Sequence, residues 1–162
     1  MSHPDIPATS AVRFLRENSV AFIPHFYRYE EHGGTFHAAR SLGVDEHAVI
    51  KTLVMETPDR KPLLVLMHGD REVSTRQLAR ALGVKHITPC TPDDAGRHTG
   101  YVVGGMSPFG TRHPMPVFAE STIFALERIY LNGGRRGFLV EVSPADLRMS
   151  LAVTEVNVAI TV

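Results

Sequence analysis

The stretch VIKTLVMETPDRKPLLVLMH, residues 49–68, decides how the chain is read. Two apolar runs, VIKTLVMET and PLLVLMH, are joined by PDRK, the pattern of a β-hairpin. Side chains alternate across a strand, so Val49, Lys51, Leu53 and Met55 share one side and Ile50, Thr52 and Val54 the other. Lys51 therefore interrupts an apolar strand. Two readings are open. It is a charged gatekeeper on a sheet edge, or it stands in a pocket wall. There burial would lower its pKa, and its charge would hold an anionic or carbonyl oxygen.

Working outward, the segments on both sides alternate irregularly between helix and strand. Thr9 or Ser10 caps a helix bearing Val12, Phe14 and Leu15. VAFIPHFYRYE reads as a strand, and its proline makes it an edge strand. HAARSLGV is a short helix closed by Gly43. STRQLARALGV is a helix capped by Ser74 and ended by Gly83, and TPDDAGRH opens on Thr91 and Pro92. MPVFAE is a short strand and STIFALE a helical turn. RIYLNGGRRGFLVEV reads as two strands around a turn at Asn132-Gly133-Gly134. SPADLRMSL is a helix capped by Ser143, and the tail AVTEVNVAITV fits either class. Two hairpins among interleaved helices imply an α/β or α+β domain with a mixed sheet, not a doubly wound parallel one.

A length of 162 residues suits one domain, 1–162, with a real core. Seventeen Lys and Arg balance seventeen Asp and Glu, which excludes a protein that coats nucleic acid by bulk charge and leaves room for a local basic patch. DNA is not expected as a partner. The single cysteine excludes an intramolecular disulfide framework and fits a reducing cytoplasm. MSHPDIPATS lacks the basic and apolar regions of a secretory leader, and no apolar run approaches the ~18 residues of a membrane span. The expectation is a cytoplasmic chain without membrane contact.

A second stretch bears on chemistry: GYVVGGMSPFGTRHPMPV, residues 100–117. Gly100, Gly104 and Gly105 permit positive φ and close approach of a ligand to the backbone, and successive N–H groups could cradle an oxyanion. The bland alternative is a tight bend beside a sheet. The pattern matches neither a P-loop nor a dinucleotide fingerprint. Ser107 precedes Pro108 and lies outside any G-x-S-x-G elbow, which argues against a nucleophile. Nine histidines show no H-E-x-x-H motif and one cysteine is too few for a structural zinc site, so no metal and no cofactor are expected. Cys90 reads as a small buried residue. Arg71, Arg76 and Arg80 cluster around one helix, for which a solvated face is the default. Arg135 and Arg136, flanked by glycines, are the better anion candidates.

VIKTLV, TGYVVGGMSPFG and IYLNGGRRGFLVEV, in this order and spacing, closely resemble the YbaK/EbsC family of aminoacyl-tRNA deacylases, related to the editing domain of bacterial prolyl-tRNA synthetase. The resemblance runs from about residue 9 to 150. It implies an α/β domain with a mixed, barrel-like sheet and flanking helices, and trans-editing hydrolysis of mischarged aminoacyl-tRNA, most of all tRNA for proline. Its partners would be the aminoacyl-tRNA 3′ end and prolyl-tRNA synthetase. By position, Lys51 matches the family's essential lysine, with Gly104 and Gly105 as the pocket glycines that complete the catalytic set. Tyr27, Thr52, Met106, Ser107, Pro108, Asn132 and Gly133 are implied to bind substrate. Asn132 stands where cysteine-specific members carry a serine, and Leu139 where they carry an aspartate. A weaker preference for cysteine is therefore expected. Two rivals keep parts of this reading: a binding module without turnover, and a small-ester hydrolase indifferent to tRNA.

Overall fold

The computed structural model describes residues 5–161; residues 1–4, part of the stretch read above as lacking a secretory leader, and residue 162 lie outside them. The hairpin forms as β2 (Ile50–Glu56) and β3 (Pro62–His68), antiparallel from Ile50↔His68 to Glu56↔Pro62. β3 is buried on both faces. Leu64 and Leu66 enter one cluster, and Leu63, Val65 and Met67 enter another. That is why PLLVLMH is continuously apolar rather than alternating.

Before the hairpin lie α1 (Ser10–Glu17), β1 (Ile23–Phe26) and α2 (Gly34–Leu42). Thr9 Oγ1 accepts the Val12 N–H at 3.1 Å and caps α1, a contribution of about 1 kcal/mol. After it come β4 (Arg71–Val73), α3 (Thr75–Leu82), β5 (Thr88–Pro89) and α4 (Pro92–Thr99), with Ser74 and Thr91 capping the two helices. β6 (Val117–Glu120), a 3-10 turn at Ser121–Ala125, β7 (Ile129–Arg135), β8 (Phe138–Val142) and α5 (Pro144–Leu151) follow. The tail that fitted either class forms β9 (Thr154–Val156) and β10 (Ala159–Thr161).

The strands make a mixed five-stranded sheet, β5-β2-β3-β6-β9, an antiparallel sheet β1-β8-β7 and a pair β10-β4. In the five-stranded sheet β3–β6 and β6–β9 are parallel. β1, with its proline, is an edge strand. One cluster, including Val12, Leu15, Phe109, Leu131 and Val140, fills the space between the larger sheets and α1. A second packs α3 onto the opposite face through Leu78 and Ala79.

The architecture is the expected single mixed α/β domain with flanking helices, but the sheets do not close into a barrel. Closure requires every strand edge to be paired. β2 meets β7 only through a parallel bridge, Val49↔Tyr130, and meets β5 only at Met55 and Glu56. Among the described residues, the edge between these points carries no partner strand.

The turn expected at Asn132-Gly133-Gly134 is instead a bulge within β7. Pairing runs Asn132↔Leu139 and then Arg135↔Phe138, which leaves Arg136-Gly137 as the turn. The glycines serve packing. The Phe138 ring lies where a Gly133 Cβ would stand. Gly134 has φ +96° with Tyr101 Cε1 2.7 Å from its own Cβ position. Asn132 Oδ1 stabilises the bulge by accepting the N–H groups of Gly134 at 2.7 Å and Arg135 at 2.9 Å.

Candidate functional site

The unpaired edge of β2 borders a cavity of about 760 Å³, closed by α2, the segment after β5, the glycine loop and the β7–β8 arm. Of the residues singled out in the sequence, Tyr27, Lys51, Thr52, Gly104, Met106, Asn132, Arg136 and Leu139 line it; Gly105, Ser107, Pro108, Gly133 and Arg135 do not.

Lys51 is half-buried, and burial lowers its ammonium below the ordinary lysine value, while Glu72, Glu46 and Asp70 pull it part of the way back. Two of these acids are held in place. Glu46 accepts the Thr35 hydroxyl at 2.8 Å. Asp70 pairs with His47 at 2.7 Å and Arg71 at 2.9 Å. The His47 ring in turn stacks on the fully buried His68 at 3.6 Å.

Thr52 is 9% exposed, yet its Oγ1 has no hydrogen-bond partner. An unsatisfied buried hydroxyl costs about 1–3 kcal/mol, so a ligand that bonded it would recover that cost. Its main-chain groups lie in the plane of the sheet. Val54 C=O accepts Cys90 N–H at 2.9 Å, and main-chain groups of alternate residues point to one side of an antiparallel ladder. The peptide groups of Thr52 therefore also point to the open edge.

The glycine loop divides its labour unequally. Gly104 has φ +87° and lies under Tyr29, whose Cε2 and hydroxyl oxygen are 2.8 Å from its Cβ position. Any side chain there is both strained and obstructed. Among the described residues its N–H has no acceptor. Gly105 does not offer the free N–H that the sequence suggested: it bonds Val102 C=O at 2.8 Å. Its Cα packs on the Arg135–Arg136 backbone, 3.2–3.3 Å from the position a Cβ would take. Ser107 is fully buried and its Oγ accepts Phe109 N–H at 3.1 Å. Pro108 is buried beside it. These two shape the loop from behind.

Asn132 Nδ2 donates to Gly104 C=O at 2.9 Å, and Arg136 Nε to Val103 C=O at 2.9 Å. The β7–β8 arm thus straps the loop in place. Tyr27 is fixed by its own N–H to Gly137 C=O at 3.0 Å, and burial together with Tyr29 raises its hydroxyl pKa. Sequence reasoning missed Tyr29 and Cys90 as wall residues. Tyr29 lies two residues beyond Tyr27, the spacing of one strand face. The Cys90 thiol is pushed up to about 11 by burial and Glu56, which makes it a poor nucleophile at neutral pH. Asn132 and Leu139, the two departures from the cysteine-specific pattern, are cross-strand partners and both line the cavity. Among the described residues no three His, Cys, Asp or Glu side chains gather as a ligand set.

A half-buried lysine, the open strand edge at Thr52 and Gly104, whose N–H has no acceptor among the described residues, border one cavity. This set suits a polar carbonyl compound bound by positioning and charge. Residues 31–149 match the aminoacyl-tRNA editing domain, and the chain belongs to that family. It is 28% identical over 137 residues, 84% of each chain, to a protein of Enterococcus faecalis provisionally named Cys-tRNA(Pro)/Cys-tRNA(Cys) deacylase EbsC. It is 30% identical over 108 residues to the proline–tRNA ligase of Nitratidesulfovibrio vulgaris, a match covering 67% of this chain and 17% of that one. Its fold superposes with a TM-score of 0.81, at 19% identity and over 95% and 98% of the two chains, on a protein provisionally described as a trans-editing enzyme for prolyl-tRNA synthetase. No helix among the described residues is long and apolar enough to cross a membrane.

Proposed function

We propose that residues 1–162 act as one cytoplasmic deacylase domain that hydrolyses the ester of mischarged aminoacyl-tRNA, with tRNA(Pro) as the substrate and prolyl-tRNA synthetase as the protein partner. A water oxygen bonds the ester carbonyl carbon, and the bond to the terminal ribose oxygen breaks. That oxygen takes a proton, leaving the free amino acid and an intact tRNA 3′ end. Lys51 anchors the ester and offsets charge on its carbonyl oxygen, and Gly104 N–H donates to the same developing oxyanion. Thr52, Tyr27, Met106 and Asn132 shape the site. An aminoacyl ester is an activated bond, so positioning and modest charge stabilisation suffice.

The observation that carries this reading is the meeting of Lys51, Thr52 with its open strand edge, and Gly104 in the wall of one cavity. The test is deacylation of a panel of mischarged tRNAs. Turnover that falls with Lys51→Ala supports it. Binding without turnover would replace it with a carrier module, and equal turnover of esters lacking tRNA would replace it with a small-ester hydrolase.

A further inference from the structure

A second groove, of about 560 Å³, lies along α3 and the segment that follows it. Arg76, Arg80, Lys85 and His86 line it and all four are exposed. Arg76 and Arg80, four residues apart, share a helix face. None of the four pairs with a carboxylate among the described residues, whereas Arg60, Arg71, Arg97, Arg128 and Arg148 all do. From Val73 to Pro92 the sequence holds no Asp or Glu, in a chain whose charges otherwise balance at seventeen each. The positive charge is therefore segregated to this groove and uncompensated within it.

The groove adjoins the cavity. Ala79 and Ile87, at its floor, pack in one buried cluster with Met55, which lines the cavity wall. The chain runs directly from Lys85 to Cys90, also in that wall. Five residues span at most about 17 Å, the rise of roughly five stacked nucleotides at about 3.4 Å each.

We propose that this groove binds the backbone phosphates of the substrate RNA just inside its 3′ end. The proposal rests on the deacylase reading of the cavity and assigns the groove a separate part: affinity for the RNA strand, with no role in breaking the ester. Guanidinium and ammonium groups on exposed stems suit phosphodiesters, which carry charge at every nucleotide and need no buried pocket.

The experiment uses the full chain and a triple variant, Arg76→Gln, Arg80→Gln and Lys85→Gln, which keeps helix-forming side chains of similar reach. Binding of an uncharged tRNA(Pro) transcript is followed by fluorescence anisotropy across a salt series. Hydrolysis of Cys- and Ala-tRNA(Pro) is compared with that of the 3′-O-aminoacyl adenosines. The transcript should bind about tenfold more weakly. The salt slope should fall by about two, since each phosphate contact on a single strand contributes about 0.7. KM for aminoacyl-tRNA should rise with kcat unchanged, and turnover of the aminoacyl adenosines should not move. Wild-type transcript affinity in the variant overturns the proposal. So does an equal loss on the short esters, which would mean a structural role, or competition by inorganic phosphate as tight as by the transcript, which would mean a small-anion site. Retained transcript binding with lost capture of prolyl-tRNA synthetase would make the groove a protein-docking face and also overturns it. If the wild type hydrolyses neither ester class while the variant loses transcript binding, the groove stands and the reading of the cavity falls.

Discussion

β3 has a hydrogen-bonded strand on each side, β2 and β6, and buries both faces. β2 comes from the same hairpin and is paired in register with it, Lys51 against Met67 and Thr52 against Leu66. Yet at these positions β2 carries a charged and an unsatisfied polar side chain and β3 carries Met67 and Leu66. The difference lies in the neighbours. A strand packed on both faces holds a polar side chain only where a partner meets it, as His47 C=O and Thr122 Oγ1 meet His68 at the end of β3, because a bare one would lack water and partners. A strand with an open edge on a cavity can hold groups that await a ligand. The cavity lies against the member of the pair whose edge the fold leaves uncovered.

Substitutions can break this contrast. The largest expected effect is on the enclosed strand. Leu66→Ala should lower stability by about 2–5 kcal/mol through the void it leaves, measured by urea unfolding. A loss under about 1 kcal/mol would mean that β3 is not the structural half. Lys51→Ala, on the open edge, should do the reverse. Deacylation falls at least about tenfold, equivalent to ~1.4 kcal/mol of transition-state stabilisation, while the unfolding midpoint does not fall. Unchanged turnover would remove Lys51 from the chemistry.

The protonation of Lys51 sharpens the contrast further. Its folded pKa lies below its unfolded value, so between the two the unfolded chain binds the extra proton. Stability is reduced below that window and the penalty is relieved as pH rises through it. Activity has the opposite dependence. The enzymatic rate, corrected for spontaneous ester hydrolysis, should fall on an alkaline limb centred below the ordinary lysine pKa. Lys51→Arg, whose guanidinium stays charged, should lose that limb. A limb that survives the substitution belongs to another group. The smallest expected effect on turnover is that of Thr52→Val. Stability should not fall and should rise by about 1–3 kcal/mol, since the substitution removes a buried hydroxyl that has no protein partner, while turnover drops severalfold. Equal loss of both would make Thr52 a packing residue.

The hairpin, the helix caps and the edge position of β1 were legible because each depends on local signals: alternation, a capping hydroxyl, a proline. The neighbourhood of Lys51 and Thr52 with Gly104 was legible only through family resemblance, since Gly104 lies some fifty residues further along the chain. What was not legible depends on contacts between distant segments. Asn-Gly-Gly has the composition of a turn, and only the Phe138 and Tyr101 rings lying against it explain why it is a bulge. Gly104 and Gly105 are indistinguishable as letters. A ring over one and a peptide backbone against the other separate their roles. The open edge of β2 could not be read at all, because closure of the sheets depends on strands nearly eighty residues away.

The side chain of Asn132 works as a polarity key. Its oxygen meets two N–H groups of the bulge and its nitrogen meets the Gly104 carbonyl, so turning the amide over would set like against like at all three contacts. Only a side chain with an acceptor at one corner and a donor at the other fits. An aspartate of the same shape would keep the bulge and release the loop, uncoupling in one atom two segments that the amide now holds in fixed relation.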